Sequence, residues 1–119
     1  MLPENSDQSD ASTVEPKSVQ DFIRRGWSFH VKEQFDRSEA DFRKAISMDS
    51  QSVEANYGLG LSLLVQNRVK ESAQSFQKTL DLLNEGKLED QPGRASMLRH
   101  LAQTHIEMGQ HGKNMEAKV

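Results

Sequence analysis

The sequence has no cysteine, so disulfides, thiolate metal ligands and a thiol nucleophile are all excluded. It holds one tryptophan, one tyrosine and three prolines among 119 residues, and no run approaches the roughly 18 apolar residues of a membrane span. The first residues lack the basic start and apolar stretch of a secretory leader, which leaves the cytoplasm as the default compartment. A formal net charge of -3 gives no general attraction to nucleic acid or to anionic lipid, and Arg24, Arg25, Arg43, Lys44, Arg68 and Lys70 form no basic stripe interleaved with aromatics. Glycine-rich phosphate loops and nucleophile elbows are also missing, and the acids are scattered. No catalytic constellation, cofactor or enzyme is therefore expected.

Four histidines remain to be placed. The nearest cluster is His105, Glu107 and His111, but a zinc pair on a helix needs spacing i, i+4, whereas His100 and His105 stand about 140° apart around the axis. No metal site is expected, and His105 reads as a half-buried, hydrogen-bonded ring.

What the chain does have is a repeat. Offsetting the sequence by 34 residues pairs Ser18 with Ser52, Val19 with Val53, Gly26 with Gly60, Ser28 with Ser62, Val31 with Val65, Ser38 with Ser72, Phe42 with Phe76 and Lys44 with Lys78. Apolar character is kept between these identities, with Phe29 over Leu63 and Ile46 over Leu80. One packing unit used repeatedly is how a stacked array buries its core. A length of 119 residues allows one such domain.

In chain order, residues 1–17 are acidic, Ser-rich and poor in apolar surface, and read as a disordered tail dispensable for folding. Ser18, with Asp21 three positions on, predicts a capped helix to about Lys32, and Asp36 with Glu39 predicts the cap of a second helix to about Met48. Ser52 repeats the first cap for a helix to about Val65; a fourth runs from Val69 to about Glu85, with Gly86 as a left-handed terminator. Residues 86–92 read as an insertion loop, Pro92 suits the first turn of a fifth helix ending at Gly109, and little more than two turns of a sixth could follow.

The repeat resembles the tetratricopeptide repeat family from Ser18 to the end. Phe22, Gly26, Phe29, Phe42 and Ala45 fill most of the pattern in the first unit, and Leu59, Gly60, Leu63 and Phe76 in the second. Leu98, Leu101, Ala102, His105 and Gly109 suggest a third, with Ala102 eight residues later than the period gives. Arg25, Asn56, Ser38, Ser72, Ser50 and Asn84 depart from the pattern. The resemblance implies an all-α, right-handed solenoid of five to six helices in antiparallel hairpins, with repeats near 19–52, 53–86 and an incomplete 95–119.

It also implies a non-enzymatic protein-interaction module whose concave groove lies on the first helix of each hairpin. Carried over residue by residue, that groove holds Gln20, Ile23, Trp27, His30 and Val31; Glu54, Tyr57, Leu61, Leu64 and Val65; and Ser96, Arg99, Gln103, Ile106 and Glu107. The basic clamp by which some members hold a chaperone C-terminus is absent, since its places hold Ile23, Trp27, Gly58, Ser96 and His100. An apolar or amphipathic helical peptide is the expected partner, with no nucleic acid and no membrane insertion. A homodimer burying the same groove, or an accessory domain of a larger protein, is the alternative. Gly26, Gly60 and Ala102 are expected at close helix approaches, and Ser62 is expected to face outward. Trp27 is expected in the groove, the alternative being burial by the neighbouring hairpin.

Overall fold

The computed structural model describes residues 11–13 and 15–117, with side chains as far as Gln110. Residues 1–10 of the expected tail therefore lie outside the described residues. After a short 3-10 turn at Ala11–Thr13 come five α-helices and, among the described residues, no strand: α1 Val19–Val31, α2 Phe35–Met48, α3 Val53–Val65, α4 Val69–Asn84 and α5 Pro92–Ala117.

Two of the starts follow from serine caps. The Asp21 N–H donates to Ser18 Oγ at 3.1 Å, while the Asp21 carboxylate accepts from the backbone N–H groups of Lys17 and Ser18, a reciprocal capping box. Those bonds, the one from Lys17 foremost, hold the Asp21 carboxyl below its ordinary range. Ser52 repeats the cap through the Ala55 N–H at 3.2 Å. Asp36 does not cap α2: the helix begins one residue earlier, and Gln34 at its N-cap makes no side-chain cap bond. The reason is the tightness of the preceding turn.

At that turn the N–H of Glu33 returns to His30 O at 3.0 Å and the N–H of Gln34 to Phe29 O at 2.9 Å, with Glu33 left-handed at φ 61°. This is a Schellman closure, which satisfies the last carbonyls of α1 and leads straight into α2. Asn67 at φ 62° closes α3 identically, through Leu64 O and Leu63 O, and Gly86 at φ 94° closes α4 through Leu83 O, with Lys87 bonding Leu82 O.

The expected stop at Gly109 and separate sixth helix do not occur, because α5 continues through that glycine. A Cβ there would come within 2.9 Å of Val69 Cγ1, so Gly109 permits close approach to the start of α4.

Each helix packs on its chain neighbours, and α1–α3 and α3–α5 also touch, whereas α2 and α4 make no direct backbone approach. Thus α3 is central, with nine buried residues from Val53 to Leu63. Two clusters form the core, one around Phe42, Ile23, Ala45 and Leu63, the other around Phe76, Leu80, Leu82, Leu98 and Ala102, and Trp27 packs against both. Phe42 is wedged between two glycines. A Cβ would come within 3.0 Å of its ring at Gly26 and 2.4 Å at Gly58, and Phe76 stands likewise 2.6 Å from a Cβ at Gly60.

Ser62 does not face outward. It is fully buried, and its hydroxyl lies 2.6 Å from that of Ser38 on α2, a short polar pair at a close helix contact. The other departures from an apolar pattern are also partnered. Arg25 forks onto the buried Asp41 of α2, with both bonds at 2.8 Å, and Asn56 donates to the carbonyls of Ser50 and Ser52, closing the turn before α3. Glu39 accepts from Arg43, Gln66 and Arg68; burial raises its carboxyl, but these donors outweigh that and lower it. At the N-terminus, the Ala11–Thr13 turn lies against α1, where Lys32 Nζ donates to Ser12 Oγ at 2.6 Å, so this part of the expected tail packs.

Candidate functional site

The open face of α1, α3 and α5 begins from Trp27. Its ring stands edge-on to Phe42 at 4.9 Å between centroids, and its Nε1–H donates to Glu54 Oε1 on α3 at 3.1 Å. The second Glu54 oxygen accepts from Arg94 Nη2 on α5 at 2.9 Å. One carboxylate therefore ties together the three helices of this face. Trp27 is half-buried, which lies between the two readings made for it: its ring closes the core on one side and faces the open surface on the other.

Rings continue the floor. His30 meets Trp27 at 5.7 Å, Trp27 meets Tyr57 at 6.5 Å, Tyr57 meets His105 at 6.1 Å, and His105 stacks on Phe76 at 5.1 Å. Tyr57 Oη and His105 Nε2 are 3.3 Å apart, so His105 is the half-buried, hydrogen-bonded ring that its position suggested. Burial lowers the pKa of both His30 and His105 and raises that of Tyr57. The Nδ1 atoms of both histidines are buried without a hydrogen-bond partner among the described residues. No group of three His, Asp or Glu side chains that could hold a metal occurs among the described residues.

The expected groove residues separate into three groups. Ile23 at 1% exposure is core and does not reach the open face, and Tyr57 at 8% contributes only its polar edge. Trp27, His30, Leu61 and Leu64 are half-buried, and Val31 and Val65 are exposed at 80% and 49%. Arg99 and Gln103 are exposed but point elsewhere. The α3-facing side of α5 is marked by Arg94 and His105, and at about 100° per residue Arg99 and Gln103 stand roughly 140° and 180° around from Arg94.

Met97, Leu101 and Met108 lie within about 60° of Arg94 and extend the apolar surface onto α5. Met97 is 54% and Met108 62% exposed. The i, i+4 and i+11 spacing of Met97, Leu101 and Met108 was the available signal, masked by aligning Ala102 with the glycines of the earlier units. The resulting stripe involves all three helices, and the Glu54 and Arg94 charges beside it satisfy each other.

At the N-terminal ends of α1 and α3, beside the turn that follows α4, a polar cavity of about 260 Å³ opens next to Glu54 and Arg94. No family model matches the sequence, and a search of curated proteins finds no match. No helix among the described residues is long and apolar enough to cross a membrane.

Proposed function

We propose that this chain is a tetratricopeptide-type, right-handed helical solenoid that works as a protein-interaction module, binding the apolar stripe of an amphipathic helix along α1, α3 and α5. The observation that carries the reading is the set of half-buried and exposed apolar residues on α1, α3 and α5: Trp27 and Val31, Leu61, Leu64 and Val65, and Leu101 and Met108. Contiguous exposed apolar surface on a folded domain marks an interaction site, and methionines suit an adaptable one. A helix laid in such a groove is read through residues at i, i+3, i+4 and i+7. Trp27 lies on the α1 side of this surface, and indoles are among the side chains in which binding energy concentrates.

The sole tryptophan also reports binding. Titrating tryptophan-free amphipathic peptides should perturb its emission, and Val65→Glu with Met108→Glu, both at exposed positions, should abolish the response while leaving helicity intact. Binding undiminished in that double variant would place the site elsewhere. Self-association through the same stripe is the second reading, favoured by the exposure of Val31, Met97 and Met108. Mass measured across a concentration series separates the two, since a dimer that buries the stripe would show little monomer and no peptide response.

A further inference from the structure

Resting on that reading of the groove, we infer that the cavity at its N-terminal end is a subsite for an acidic side chain of the bound helix. The cavity is lined by Gln20, Gln51, Glu54, Lys87, Gln91 and Arg94, so cations outnumber the carboxylate and three amides add donors. Lys87 is half-buried, yet its ammonium pairs with no carboxylate among the described residues. Glu54 is already committed to Trp27 and Arg94, and cannot supply the missing charge. An ammonium that lines the cavity without a carboxylate partner attracts an incoming anion there.

A space of about 260 Å³ has room for one carboxylate-bearing side chain, and too little for a folded element. The Ser52 hydroxyl in the lining is occupied by the Ala55 N–H, so Lys87 and the three amides are the donors left to an incoming carboxylate. The stripe residues Trp27, Leu61, Leu64, Val65, Leu101 and Met108 are all uncharged. A partner helix that matches it presents an uncharged stripe to Leu61, Leu64 and Met108, and a glutamate or aspartate at the end near Lys87. This gives the helix a direction: the acidic end lies over the cavity and the apolar end over Val31 and Val65.

The test uses the full chain and a displayed library of helices of roughly 18 residues, long enough at about 27 Å to run the length of α3 from the cavity to Val65. Their leucine stripe is fixed and both ends are randomised. Enriched helices should carry Glu or Asp at one end only, and Glu→Gln in the peptide should weaken binding about tenfold. Lys87→Glu should reverse the preference toward lysine, and Lys87→Gln should remove it. Enriched helices with no acidic preference, lost to Met108→Glu but indifferent to both Lys87 variants, overturn the subsite and leave the groove standing. No enrichment at all overturns the groove reading and the subsite with it.

Discussion

Replacing Gly58 by alanine tests the packing that sets the spacing between α2 and α3. The new Cβ would lie 2.4 Å from Phe42 Cε1, 2.5 Å from Cζ and 2.8 Å from Cδ1, where ordinary contacts begin near 3.4 Å. The ring must therefore shift by roughly 1 Å, and it has nowhere to go: Phe42 is fully buried, Gly26 presses from α1, and the Trp27 ring stands 4.9 Å away. Overpacking of this kind costs about 1 to 3 kcal/mol, against which removing a helical glycine returns about 1 kcal/mol. At an approach of 2.4 Å the cost lies in the upper part of that range, about 2 to 3 kcal/mol, so the net loss should be about 1 to 2 kcal/mol, with a fall in Tm of several degrees. Gly26→Ala, whose Cβ would meet the same ring at 3.0 Å, should come out close to neutral. Gly93→Ala, with nothing within 4 Å, should gain up to about 1 kcal/mol. Urea melts followed by helical circular dichroism and by Trp27 emission give the order directly, and Gly58→Ala should also change the native emission because Phe42 moves against the indole. If Gly58→Ala proves as stable as Gly93→Ala, the wedge of Phe42 between glycines is not what spaces these helices.

Ser62→Leu should be as damaging as Gly60→Leu, since both positions are buried, and Ser62→Ala should cost about 1 to 3 kcal/mol by leaving the Ser38 hydroxyl without its partner; chemical denaturation measures both. Glu33→Gly should stabilise by about 1 kcal/mol, because φ 61° is left-handed and Gly relieves the Cβ clash, and an unchanged urea midpoint would contradict this. Stability should fall as pH drops through the ordinary histidine range near 6.5. Burial lowers the folded-state pKa of His30 and His105, so the unfolded chain takes up protons first; replacing both with phenylalanine should flatten the pH profile between about 5 and 7.

The helices were largely legible because their ends are written locally. Ser18 with Asp21, and Ser52 alone, cap as expected, and Gly86 terminates α4 with the left-handed backbone glycine permits. Asp36 misled because Gln34 is held by the Schellman bond at the end of α1, which fixes where α2 starts before any side chain can choose. Burial on α3 was harder to read. A helix packed on three sides has no clean polar face, so Ser62 looks outward by composition while lying at the contact with α2. The register of α5 failed for a different reason: within a single insertion, one small residue cannot distinguish the face that meets α4 from its neighbour. The link from Trp27 through Glu54 to Arg94 joins residues 27 and 40 positions apart, a coincidence no local pattern encodes.

The short turn at Ala11–Thr13 also bears on symmetry. Its bond to Lys32 lies on the flank of α1 that corresponds, 34 residues on, to Gln66 of α3, and Gln66 reaches back to Glu39 of α2. The turn thus stands where a preceding hairpin's second helix would pack. Head-to-tail stacking of identical copies, in which the α5 end of one meets the α1 flank of the next, must first peel this turn away. An open head-to-tail stack would therefore forfeit the contacts this turn makes with α1.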